Sequence, residues 1–236
     1  ILRVNFKDGR VRVLYRSQAN SNSILLTERC DNYCLMCSQP PKAHDDSALL
    51  SEAFNLIPMM PKSTESLGLT GGEPTLYGDA LLDLIKHAKT HLPNTALDVL
   101  TNGKAFADES YARKLAQVSH PDLMVAVPLY SSDPVIHNYV VQCRGAFDET
   151  VRGIINLKRH RQRVQLRVVL HKETIPTLLE LCEYIGTNLR FVDQVALMGL
   201  ETVGFARANL DSLWVDPYDY KDTLSSACDM LSQYGV

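Results

Sequence analysis

The 236-residue sequence has no apolar run approaching the roughly 20 residues that cross a bilayer, and no secretory signal at its start. It has almost no charge imbalance. A formal net charge of −3 excludes a general pull towards nucleic acid or an anionic membrane. Low-complexity tracts and short repeats are missing. Cysteine is sparse: three of the six fall within Cys30–Cys37, and Cys143, Cys182 and Cys228 are scattered. That distribution argues against a disulfide framework and for thiol ligands in a reducing, cytoplasmic setting. The chain begins at Ile1 rather than Met, as a trimmed chain or a fragment would. Hydrophobic content of 45% and charged content of 22% suit one sizeable core.

What is present is a chain of strand-then-helix units. Leu2, Val4 and Phe6 alternate, as do Val11, Val13 and Tyr15, with Asp8-Gly9 between them as a tight turn. Residues 1–22 therefore read as an N-terminal β-hairpin and polar linker. From 23 to 236 the pattern repeats six times. Strands are expected at 24–28, 67–70, 96–101, 123–129, 164–170 and 193–198, each followed by an apolar helical stripe. A long loop, 201–216, separates the last strand from its helix and is expected to help cover the mouth. Such alternation implies a parallel sheet with right-handed crossovers. Residues 164–170 choose between architectures. Val164, Leu166, Val168 and Leu170 share one face, while Gln165, Arg167 and His171 share the other with Val169. A doubly wound strand would be apolar on both faces. The fold class is therefore α/β, a partial (β/α)6 barrel with an N-terminal β-hairpin.

The chemistry concentrates at strand ends. Cys30, Cys34 and Cys37 have C-x3-C-x2-C spacing in a loop after the first strand, where several sulfurs can be aimed at one soft metal centre. A closed zinc site wants a fourth ligand, for which His44 is a candidate. A four-iron cluster on three thiolates keeps one iron free. Gly71-Gly72-Glu73-Pro74 follows the second strand. Its glycines permit close ligand approach, Pro74 stops the strand, and Glu73 can accept from an ammonium group or cap a helix. Arg167, inside the barrel, needs a carboxylate partner, either a ligand's or an internal one. Asn102 lies at the third strand's end and Ser131 at the fourth's; either serves a turn or lines the mouth. His137 and His171 are substrate-side candidates or, more simply, structural.

The cysteine triplet and the glycine-glycine-glutamate-proline turn, in this order and separation, resemble the radical S-adenosylmethionine (radical SAM) superfamily. The resemblance implies a [4Fe-4S] cluster on Cys30, Cys34 and Cys37, with SAM chelating the free iron. It implies SAM contacts from Gly71, Gly72, Glu73 and Pro74, a carboxylate contact from Arg167, a ribose contact from Ser131 and a backbone contact to adenine around Leu197. Met36 stands where that family commonly has an aromatic residue. Four further runs are similar to the His-Xaa-Ser system radical SAM maturases of the HxsC type: Cys34–Pro41, Val127–Tyr130, Arg144–Val151 and Met198–Glu201. This implies a substrate peptide with His-Xaa-Ser repeats, a second radical SAM protein and an external one-electron donor as partners. No second cysteine cluster follows Cys37, so an auxiliary cluster is not expected. A small molecule or nucleotide substrate stays open, as does a zinc or iron–sulfur interaction module without turnover.

Overall fold

The computed structural model describes residues 1–236. Its main sheet has six parallel strands: β3 (Asn22–Leu25), β4 (Ser66–Thr70), β5 (Ala96–Leu100), β6 (Leu123–Pro128), β7 (Arg163–Leu170) and β8 (Gln194–Gly199). They are hydrogen-bonded in chain order and β3 does not pair with β8. An order that never reverses, joined by right-handed crossovers, keeps every helix on one face and rolls the sheet into an open partial barrel. The ring of helices comprises α1 (Ser47–Leu56), α2 (Asp79–His91), α3 (Glu109–Val118), α4 (Pro134–Val141), α5 (Ala146–Arg159), α6 (Leu178–Asn188), two single turns α7 (Phe205–Ala208) and α8 (Leu210–Leu213), and α9 (Pro217–Tyr234).

The period of two in β7 sorts its side chains as expected. Val164, Leu166, Val168 and Leu170 are buried under the helices, while Gln165, Arg167 and Val169 line a partly accessible lumen. The main core lies between the sheet and the helices, from Leu26 and Leu67 through Val125 to Leu231. A second, smaller core brings Met36, Tyr130, Val140, Val141, Ala146, Ala206 and Leu213 together at the barrel mouth. No helix is long and apolar enough to cross a membrane.

The hairpin is a separate antiparallel pair, β1 (Leu2–Val4) and β2 (Val11–Val13). Phe6 and Tyr15, which continue the alternation, lie beyond its ends. Arg3 ties it to Glu52 of α1, and the Ile1 ammonium donates to the Tyr15 carbonyl at 2.8 Å.

Three expectations need correction. The first barrel strand covers 22–25 rather than 24–28. The Leu26 N–H still donates to Thr70, but at Thr27 the chain turns away so that its hydroxyl bonds the Asp46 carboxylate at 2.7 Å. The stretch before α5 contains a helix that no apolar stripe announced, α4. It starts at Pro134, with the Asp133 side chain capping the Val135 N–H at 2.7 Å. The segment 201–216 is not an irregular loop, because α7 and α8 lie within it.

Candidate active site

The cysteine loop is fastened from four sides. From below, the buried Asp46 carboxylate accepts from the Thr27 hydroxyl, the Glu28 N–H and the guanidinium of Arg29, and the Tyr77 hydroxyl reaches the same group at 3.1 Å. Burial alone would raise the Asp46 pKa, but these donors outweigh it and hold the carboxyl at about 2. From one flank, the Tyr33 and Leu35 N–H groups donate to the Val141 and Val140 carbonyls at the end of α4, at 3.0 and 2.9 Å. On the far side, the Phe205 N–H donates to the Cys37 carbonyl (2.8 Å) and the Asn209 amide to that of Leu35 (2.8 Å). The segment after β8 thus closes onto the loop, and Phe205 stacks on Tyr33.

The fourth fastening is the glycine turn. The Gly72 N–H donates to the Thr27 carbonyl and the Glu73 N–H to that of Arg29, both at 2.7 Å. A Cβ on Gly71 would stand 2.5 Å from the Thr27 carbonyl oxygen, and one on Gly72 would land inside that of Arg29. The two motifs therefore form one packed unit in which only glycine fits.

Glu73 is buried, and its carboxylate accepts four hydrogen bonds. The Thr75 N–H (2.9 Å), Thr75 hydroxyl (2.6 Å), Thr101 hydroxyl (2.7 Å) and Asn102 N–H (2.6 Å) supply them. Burial still pushes its pKa up, against those donors. The side chain welds the second and third strand ends together and caps the turn at Pro74, instead of presenting itself to an ammonium group. Asn102 is equally committed, donating from Nδ2 to Asp31 at 2.6 Å. Ser131 is a buried turn residue whose hydroxyl accepts from the Asp133 N–H and pairs with Thr177. Leu197 pairs in register with Val168, so its side chain belongs to the helix side and only its backbone faces the mouth.

His137 and His171 are both fully buried and present nothing to a substrate. His137 Nδ1 accepts from the Tyr130 N–H at 3.2 Å, with its ring against Tyr130 and Phe147. His171 Nδ1 accepts from the Glu173 N–H at 3.2 Å. Burial lowers both to about 4 from 6.5. The unfolded chain therefore binds more protons than the native one between those values, and stability falls as pH drops through that window. Each histidine is expected to cost about 2 kcal/mol by pH 5 relative to pH 8. Asp46 acts lower, its contribution being lost as pH falls from 3.8 towards 2. Urea midpoints measured from pH 8 to pH 5 check this; a flat profile contradicts the burial of both rings.

No three His, Cys, Asp or Glu side chains, the three thiols included, converge as one metal ion requires. His44, the candidate fourth zinc ligand, faces Glu28 at 3.3 Å. Cys30 and Cys37 are near enough to Cys34 for their charges to raise its pKa further, after burial. Burial pushes the Cys30 and Cys34 thiols up to about 12, so a metal must displace their protons. The Asn32 N–H already points at the Cys30 sulfur at 3.4 Å, as it would at a ligating thiolate. Met36 packs beneath, in the smaller core, and keeps that side dry. Donor type and donor number suit an iron–sulfur cluster on Cys30, Cys34 and Cys37.

Arg167 faces the lumen between Pro128 and Ala196 and makes no ion pair. Its charge bears on Asp98, also on the inner face, whose carboxyl is raised by burial. The internal salt bridge is thus not formed, and the guanidinium remains free for a ligand carboxylate.

Comparison with known proteins agrees with this geometry. The model of the Radical SAM superfamily matches residues 24–185. Curated relatives named probable GTP 3',8-cyclase are 27% identical, over 190 residues in Saccharolobus islandicus and 214 in Sulfurisphaera tokodaii. These alignments cover 78% and 89% of this chain but 58% and 63% of those proteins. Among solved structures, Streptococcus suis SuiB bound to S-adenosylmethionine superposes with a TM-score of 0.72 at 18% identity, over 90% of this chain and 48% of that one. Native anSMEcpe with bound AdoMet gives 0.66 at 18%, over 88% and 58%. The chain thus spans about half to two thirds of the length of the proteins it matches.

Proposed function

The chain belongs to the radical SAM superfamily, whose members use a [4Fe-4S] cluster and SAM, and from that premise we propose that it modifies a ribosomally made peptide. When bound, the cluster and SAM would together supply one-electron radical chemistry able to attack a substrate C–H bond, with the electron coming from an external donor. The protein's part is to hold the reactants in line and keep water out. Cys30, Cys34 and Cys37 would carry the cluster. The backbone of Gly71–Pro74, fixed by the buried Glu73, would meet the SAM amino group. Arg167 would take the SAM carboxylate. The α7–α8 segment closes one side of the mouth.

The observation that carries the peptide reading is the apolar rim around the cysteine loop. Tyr33 and Tyr139 are each 52% exposed, and Val203 and Trp214 are exposed beside α7 and α8. Such a rim suits an extended chain with apolar side chains. The sequence runs that resemble those of His-Xaa-Ser maturases support the same reading, with a repeat-bearing peptide and a second radical SAM protein as partners. A nucleotide substrate is the second reading, supported by the relatives named as probable GTP 3',8-cyclases. The test is 5'-deoxyadenosine formation by anaerobically reconstituted protein with His-Xaa-Ser peptide, with GTP, or with neither. Stimulation by peptide alone supports the proposal; stimulation by GTP alone replaces it.

Arg167→Met provides a separate check on the SAM site. Loss of a charged, bidentate contact is expected to weaken SAM binding by roughly 10- to 100-fold, with iron content unchanged. Equilibrium dialysis with labelled SAM measures this, and unchanged affinity would remove Arg167 from the site.

A further inference from the structure

Lys104 is the only buried lysine. It follows Thr101-Asn102-Gly103, where Gly103 at φ +82° turns the chain back over the mouth. Its ammonium pairs with Asp31 Oδ2 at 2.9 Å and also donates to the Asp31 carbonyl and the Cys143 sulfur, each at 3.3 Å. The other oxygen of Asp31 takes the Asn102 amide at 2.6 Å. Asp31 directly follows Cys30. The residues after β5 therefore grip the cysteine loop between its first two thiols, with one donor for each carboxylate oxygen.

The pair is electrostatically unequal. The Lys104 side chain is 8% exposed and that of Asp31 44%. Water screens the carboxylate more than the ammonium. The Lys104 charge bears on the Cys34 thiol and favours its ionised form, while the Asp31 charge bears on Cys30 with the opposite sign. A bound iron–sulfur cluster gains one negative charge on reduction, with no bond broken and no proton moved, and net charge nearby sets its potential.

We propose that Lys104 is a positioning residue for the iron–sulfur site, which anchors the Cys30–Cys37 loop through Asp31 and raises the reduction potential of the cluster held there. This rests on the reading that Cys30, Cys34 and Cys37 carry the cluster. The two members of the pair then have opposite electrical effects but the same mechanical one.

The experiment is an electron-paramagnetic-resonance redox titration of the reconstituted full chain, as wild type, Lys104→Met, Lys104→Arg and Asp31→Asn, with iron release to a chelator timed in parallel. Lys104→Met is expected to shift the potential negative and to release iron faster. Lys104→Arg should restore the wild-type potential. Asp31→Asn should shift it positive while also releasing iron faster. Should Lys104→Met hold no cluster, a wild-type potential in Lys104→Arg together with a positive shift in Asp31→Asn still decides. Unchanged potentials, or shifts of one sign in Lys104→Met and Asp31→Asn, overturn the inference and leave the cluster reading intact. A wild-type chain that holds no iron overturns both.

Discussion

Cys34→Ala is expected to abolish 5'-deoxyadenosine formation and to lower iron from about four per chain to near none. Cys34 is the middle thiol, the one on which both other cysteines act, and its neighbourhood is arranged around it. Leu35 and Tyr33 on either side are hydrogen-bonded to α4, so the loop cannot shift to recruit a substitute. Even changes to residues that only support metal ligands cost about 10- to 100-fold, and removal of a ligand is expected to exceed that. Anaerobic iron and sulfide analysis, with chromatographic assay of 5'-deoxyadenosine, measures both effects. Retention of iron and turnover would show that another set of ligands carries the cluster.

Gly72→Ala is the second large effect, and it leaves all three thiols in the sequence. The added methyl would meet the Arg29 carbonyl oxygen and carbon, which are backbone atoms and cannot rotate aside. Either the glycine turn or the cysteine loop must move. Overpacking in a fitted site costs about 1–3 kcal/mol, and contact with main chain places this change at the upper end, about 3 kcal/mol. The shift would also break the Glu73 N–H bond to Arg29. The expected result is a lower urea midpoint for the metal-free protein and at least tenfold faster iron release. Gly78→Ala is the contrasting control: no atom lies within 4 Å of its added Cβ, so its cost arises only from its positive φ. Equal loss of iron from both variants would contradict a packed junction between the two motifs.

How far these features can be read from sequence depends on whether they are local. The alternation of Val164–Leu170 is enough to choose a barrel over a doubly wound sheet, because burial on one face only is written into consecutive residues. The cysteine spacing and the glycine turn are equally local. The contacts that fasten them are not. Asp46 is one aspartate in a polar run, Lys104 sits 73 residues from Asp31, and Asn209 bonds Leu35 across 174 residues. Nothing in a linear pattern joins such pairs. Glu73 shows the same limit: its type suggests a ligand contact, yet Thr75, Thr101 and Asn102 saturate it. The helix α4 is hard to read from sequence for another reason. It is short and buries residues on more than one side, so it lacks a clean stripe, although Asp133-Pro134 is a readable start signal.

The unbroken strand order has a consequence for the protein's synthesis. Each new strand pairs with the one translated just before it. The sheet can grow at one edge while the chain is still emerging, without waiting for distant partners. The cysteine loop cannot keep that pace. Asp46 and the glycine turn follow it closely, but its other two fastenings, to Val140 and Val141 and to Phe205 and Asn209, come from much later in the chain. The loop's full support therefore exists only once β8 and α7 have been made, and a cluster on these thiols is expected to be held firmly only from that point.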